Sequence, residues 1–170
     1  MKHILTQSEL AAAAGNVAYA LECEALGGPF LSRAIMAVEG DAIATKQLQE
    51  IVQKIIQTAK DGFPDRLYRY EGSPGDHLCA LPENLKWGCR VRLFLLKLTD
   101  NCIVVGGGGL KVGIRTYQED PTLNWHAEAL QKLNSEFARL KRMKQFRIGV
   151  DGRIQVQGNL QFEIEHEQLP

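Results

Sequence analysis

The stretch Cys89-Arg-Val-Arg-Leu-Phe-Leu-Leu-Lys-Leu98, followed by Thr99-Asp-Asn101 and Cys102-Ile-Val-Val105, decides the fold. Its Val, Ile, Leu and Phe content favours strands, and Asp100 and Asn101 tolerate the positive φ angles that a two-residue hairpin loop requires. With that pair as the loop, Leu98 is expected opposite Ile103 and Leu96 opposite Val105 on one surface. Val91, Leu93 and Leu95 then line the other. Both surfaces are apolar, so the hairpin is expected at the centre of a sheet covered on both sides.

Towards the C-terminus, Gly106-Gly107-Gly108-Gly109 interrupts the pattern, and Leu110 to Thr116 is expected to resume it as a third antiparallel strand. Asp120-Pro121 supplies a cap and a first-turn proline for a helix running to about Met143, with Leu123, Ala127, Leu130, Leu133, Phe137 and Leu140 on its apolar face. The turn pairs Asp151-Gly152 and Gly158-Asn159 divide the remainder into a terminal β-meander, 146–165.

Towards the N-terminus, Asp41 caps a helix whose Ala44, Leu48, Ile51, Val52, Ile55, Ile56 and Ala59 form a wide apolar stripe, ended by Asp61-Gly62 and Pro64. Pro29 opens a shorter helix that carries Phe30, Leu31, Ala34 and Val38, and Gly40 stops it. Thr6-x-x-Glu9 has the capping-box spacing, and Leu10, Ala14, Val17 and Leu21 recur at helical intervals, so a first helix is expected there. Arg66 to Tyr70 and His77 to Leu81 read as a short hairpin across the Gly72–Asp76 turn. The order of elements argues for α+β: a single domain over 1–170, an antiparallel sheet centred on residues 89–105, and a helical subregion over 1–62.

The hydrophobic fraction of 45% and charged fraction of 24% exclude a disordered or fibrous chain. No apolar run reaches the ~18 residues that cross a bilayer, and no signal-peptide core forms at the start, so a cytoplasmic, membrane-free protein is expected. Cys23, Cys79, Cys89 and Cys102 make no CxxC pair and no metal spacing with His3, His77, His126 or His166. Reduced thiols are expected, with no metal and no cofactor.

The formal net charge is zero, but residues 65–150 carry 14 basic and 9 acidic side chains. A local basic surface can therefore exist without a whole-protein field. Arg139, Lys141, Arg142, Lys144 and Arg147 are its densest part. They suit phosphate contact, and equally a solvated helix end that complements the dipole. The glycine run lacks the GxGxxG and GxxxxGK[ST] contexts of a nucleotide cradle; a bulge, a turn or close packing of a helix on backbone accounts for it as well. His77 follows a flexible turn beside Asp76, which could orient its imidazole. His126 lies off the main apolar stripe, as a surface histidine would.

The succession of Arg90-Val-Arg-Leu-Phe-Leu-Leu, Asp100-Asn-Cys-Ile-Val-Val, Gly109-Leu-Lys111 and Thr116-Tyr-Gln-Glu-Asp-Pro121 before an amphipathic helix resembles the later part of RelE/HigB-type toxins of toxin–antitoxin modules. The resemblance covers about residues 88–140; the whole stretch also looks like small proteins of gut Bacteroidetes, a likeness that carries no activity. It implies an RNA-directed protein, an mRNA endoribonuclease or a descendant without cleavage, with RNA or the ribosome as target and an antitoxin as partner. Lys111, and with it Arg92 and Arg115, fall where that family places catalytic phosphate-contacting cations; from the basic run, and not from the resemblance, Arg139, Lys141 and Arg142 are expected to supplement them as RNA-binding residues. Val112 departs from the family's second Lys, and the N-terminal elements and terminal meander have no counterpart there. A non-enzymatic interaction or regulatory protein of a mobile element, and a small-molecule-binding protein, are the alternatives.

Overall fold

The computed structural model describes residues 2–23, 27–83, 88–157 and 162–165. Its elements are β1 (Lys2–Ala13), β2 (Asn16–Cys23), β3 (Gly28–Pro29), α1 (Phe30–Ala37), α2 (Ala42–Thr58), β4 (Arg69–Tyr70), β5 (Leu78–Leu81), β6 (Val91–Thr99), β7 (Cys102–Leu110), α3 (Pro121–Arg142), β8 (Phe146–Ile148), β9 (Ile154–Val156) and β10 (Phe162–Glu165). The α+β class is as the sequence predicts. The large sheet runs β10-β1-β2-β7-β6-β5-β4, with β3 beside β2, and β8 and β9 form a separate ribbon.

Three layers result. Val17, Tyr19, Leu21, Leu78, Phe94, Leu96, Cys102 and Val104 pack beneath α3, together with Phe30 of α1. Ala18, Cys79, Leu81, Leu93, Leu95, Ile103 and Val105 pack beneath α1 and α2. Asp41 caps α2 by accepting from the Ile43 and Ala44 N–H groups, and Asp120 caps α3 by accepting from Leu123 N–H at 2.9 Å.

The sheet is mixed, not antiparallel throughout, because β2 runs parallel to β7. The expected first helix is instead the β1–β2 hairpin. Ala14 and Gly15 take φ of 51° and 79°, the loop conformation that closes two strands with the correct twist. Val17, Tyr19 and Leu21 then face α3 while Ala18 faces the other layer, a period of two that the helical reading of the alanines had obscured.

The central hairpin forms around Asp100-Asn101, with its faces differently assigned. A bulge between Lys97 and Thr99 pairs Lys97, not Leu98, with Ile103, and Leu96 with Val104. A one-residue slip moves every later side chain to the opposite face, so Leu96 lies with α3 while Ile103 and Val105 lie with α1 and α2. Beyond Leu110 the expected third strand is absent; residues 111–116 are irregular. The terminal meander is likewise split: β8 and β9 pair as expected, but β10 joins β1, and the expected Gly158-Asn159 turn lies outside the described residues.

The glycine run belongs to β7. A second bulge, between the Leu95–Val105 and Leu93–Gly108 pairs, puts Gly106 and Gly107 both under α3. A Cβ on Gly106 would stand 2.7 Å from Leu130, and one on Gly107 would overlap the His126 ring. The run is a trough of bare backbone into which α3 settles.

Candidate functional site: a cationic cleft beside the third helix

Where α3 nears its end, its side chains diverge from the sheet to meet the β8–β9 ribbon. The ribbon is fixed by Ile154 N–H donating to the buried Tyr19 hydroxyl at 3.1 Å and by Gln157 N–H donating to the Gln145 carbonyl at 2.9 Å. Between ribbon, helix and the tip of the central hairpin lies a solvent-open cleft of about 480 Å³. Leu98, Phe137, Phe146 and Ile148 give it apolar surface, with Phe137 and Phe146 rings 4.7 Å apart. Its polar lining comes from His77, Thr99, Asn134, Lys141 and Arg147.

The Lys141 side chain makes no hydrogen bond or ion pair among the described residues. Arg147 donates from Nε to the Gln155 side-chain carbonyl at 2.6 Å, a neutral partner that leaves its charge uncompensated. No acidic residue occurs between Glu136 and Asp151, and Arg142 and Lys144 extend the exposed positive charge beyond the cleft. Arg139 is different: it is paired with Glu136, its Nε at 2.8 Å from one carboxylate oxygen and an η nitrogen at 2.6 Å from the other.

His77 reaches the cleft from the turn before β5. Asp76 does not orient it, because that carboxylate accepts from Ser73 N–H at 3.1 Å within its own turn. The backbone of Lys97 does so: its N–H donates to the His77 carbonyl at 2.9 Å, and its carbonyl lies 3.0 Å from Nδ1 of the His77 ring. The Lys97 side chain points away, buried against Asp100 at 2.6 Å and against Asp65. Burial pulls the Lys97 ammonium down, but bonds to the two carboxylates outweigh it and the group titrates above its usual value.

The three cations expected to form a catalytic set are divided. Arg92 is 1% exposed, donating to the Pro82 carbonyl at 2.8 Å and ion-paired with Glu71. Lys111 is near it and half-buried; burial, then repulsion by Arg92, holds its ammonium below the ordinary lysine value. Arg115 is exposed, and no hydrogen bond or ion pair connects it to either. The expected surface histidine, His126, is fully buried between Gly107 and the rings of Phe30 and Trp125. Burial, reinforced by the charge of Arg33, pushes it down to about 4, and neither ring nitrogen finds a hydrogen-bond partner among the described residues. The sequence signal for its burial was the glycine run itself, which makes room one helix away.

All four cysteines are free thiols, and burial pushes Cys79 and Cys102 up to about 12. No cluster of His, Cys, Asp and Glu among the described residues could hold a metal ion, and no helix among them is long and apolar enough to cross a membrane. Comparison of the chain with protein-family profiles, with curated proteins and with solved structures finds no match.

Proposed function

We propose that this chain is an RNA-directed protein that holds the phosphodiester backbone in the cleft between α3 and β8. Lys141 and Arg147 contact phosphate, and the apolar lining around Phe146 receives a base. The observation that carries the reading is the convergence of these two cations, from separate elements, on an apolar cleft with no carboxylate among the described residues that line it. Arg142 and Lys144 continue the positive track outside it, which suits a polymer better than a small anion. The resemblance to RelE/HigB-type toxins supports the same target class, with the ribosome as platform and an antitoxin as partner. Phosphate contact passes from Arg92, which Glu71 occupies, to the cleft, with Lys111 and Arg115 as outlying contacts.

The test is fluorescence anisotropy with a short labelled single-stranded RNA over a series of salt concentrations. Affinity should fall steeply as salt rises, because bound counterions are released when lysine and arginine replace them. Lys141→Ala and Arg147→Ala should each weaken binding. Absence of binding at low salt, or wild-type affinity in both variants, would replace this reading with that of an interaction protein. Ile35, Met36 and Ile43, exposed on α1 and the first turn of α2, are the feature that favours the latter.

A further inference from the structure

We infer that His77 is a proton-dependent phosphate contact of this cleft, so that the RNA backbone is held more tightly as the medium becomes acidic. The inference rests on the RNA reading and adds a regulation to it. His77 is exposed and lines the cleft together with Lys141 and Arg147. Histidine is the side chain whose charge ordinarily changes between about pH 5 and pH 8. A cation gained here joins two others on a lining that holds no carboxylate among the described residues.

The turn before β5 presents the ring in one way. His77 has a φ of 53°, and a side chain in that left-handed region is strained unless its surroundings hold it. Lys97 N–H donates to the His77 carbonyl at 2.9 Å, and the Lys97 carbonyl lies 3.0 Å from Nδ1 of the ring. Asn134 of α3 donates to the Asp76 carbonyl at 2.9 Å, tying the turn to the cleft wall. A carbonyl can only accept, so Nδ1 carries the hydrogen and Nε2 is the atom that gains or loses the proton. Nε2 has no hydrogen-bond partner among the described residues. Protonation therefore adds a donor without turning the ring, and the Nδ1–H bond strengthens as the ring becomes charged.

The charges around the ring set the sign of the effect. Lys141 of α3 and Arg147 of β8 oppose a further cation in the cleft. From β6 come Leu98 and Thr99, while the Lys97 ammonium is turned away to Asp65 and Asp100. In the turn itself the Asp76 carboxylate is engaged by Ser73 N–H at 3.1 Å. A bound phosphate reverses the balance, because its negative charge favours the imidazolium and draws a proton onto Nε2. By the same linkage, acid tightens binding. His126 cannot take this part, since its ring is fully buried against the glycine backbone.

The experiment is fluorescence anisotropy on the full chain with a labelled oligouridine, whose bases do not titrate in the range used. Affinity is measured over a salt series at about pH 7.5 and about pH 5.5, which bracket an ordinary histidine. The wild-type protein should bind about three- to tenfold more tightly at the lower pH, the gain of one hydrogen-bonded contact. Its slope of log affinity against log salt should steepen by about one. His77→Asn tolerates the left-handed conformation but has no titrating nitrogen; it should match wild type at the higher pH and lose the gain at the lower. His77→Gln is the second variant, and unfolding temperatures at both pH values check that each is folded. Should neither fold, the titration of the His77 ring followed by NMR decides, since its midpoint should move to higher pH when RNA is bound. An unmoved midpoint, a wild-type affinity equal at the two pH values, or an equal gain in the folded variants would overturn the inference while leaving the binding reading intact. No binding at either pH would remove both.

Discussion

Arg92 and Lys97 stand within β6, and Lys141 and Arg147 stand across the cleft from its end; the two pairs carry the same charge and have opposite circumstances. Arg92 meets Glu71 and a carbonyl, and Lys97 meets Asp65 and Asp100, so each inner cation is matched by carboxylate. Among the described residues Lys141 meets none, and Arg147 meets the amide of Gln155. A buried charge costs several kcal/mol unless it is paired, so the inner pair had to find partners for the chain to fold at all. The cleft cations, kept in water, faced no such demand. Residue type and spacing do not distinguish a structural cation from an available one; the location of its counter-charge does.

The comparison breaks most visibly at Arg92. Arg92→Ala leaves Glu71 with the longer Arg69 contact at 3.6 Å and the Pro82 carbonyl without this donor, and should cost about 3–5 kcal/mol in urea unfolding. The double change Arg92→Met with Glu71→Leu should recover much of that loss. A single-variant loss below about 1 kcal/mol would place Arg92 with the outer group.

His126 extends the inner class to a base kept neutral by burial. Its folded value of about 4 lies below its ordinary 6.5, so between those values the unfolded chain binds the proton more readily. The stabilisation is therefore complete above pH 6.5 and is lost as pH falls towards 4, by about 3 kcal/mol in all. Urea midpoints measured from pH 7 to pH 5 should decline, and His126→Leu should flatten that decline. A wild-type profile already flat over this range would contradict the burial of the ring.

The reason for that burial can be sharpened on β7. Gly107→Ala drives a methyl into the His126 ring and should cost about 1–3 kcal/mol. An added Cβ at Gly109 meets Ala37 and Leu123 only at ordinary contact distances of 3.5 and 3.7 Å, so Gly109→Ala should change stability by less than about 0.5 kcal/mol by thermal unfolding. Equal losses at the two positions would refute the trough.

The smallest stability effect is expected in the cleft. Lys141→Ala should leave unfolding within about 0.5 kcal/mol of wild type, because an exposed lysine without an ion pair contributes little. Its effect belongs to RNA: the slope of log affinity against log salt should become shallower by about one.

The sequence by itself determined the elements whose local signals agree with their surroundings. Asp41 and the stripe from Ala44 to Ala59 specify α2, Asp120-Pro121 and the Leu123 to Leu140 face specify α3, and Asp100-Asn101 between apolar runs specifies the β6–β7 hairpin. It also supplied Lys141 and Arg147 as members of one basic run. Tertiary structure alone decided the rest. The alanines of residues 11–14 favour helix locally, yet pairing of β2 with β7 on one side and β1 on the other outweighs an intrinsic preference of a few tenths of a kcal/mol per residue. One bulged residue before Thr99 reversed the faces of Ile103 and Val105, and no local pattern announces a bulge between two apolar surfaces. The counter-charges were equally hidden: Glu71 lies 21 residues from Arg92, and the Lys97 carbonyl lies 20 from His77. Chain distance conceals both partners, because only the folded sheet brings those groups within reach of a hydrogen bond.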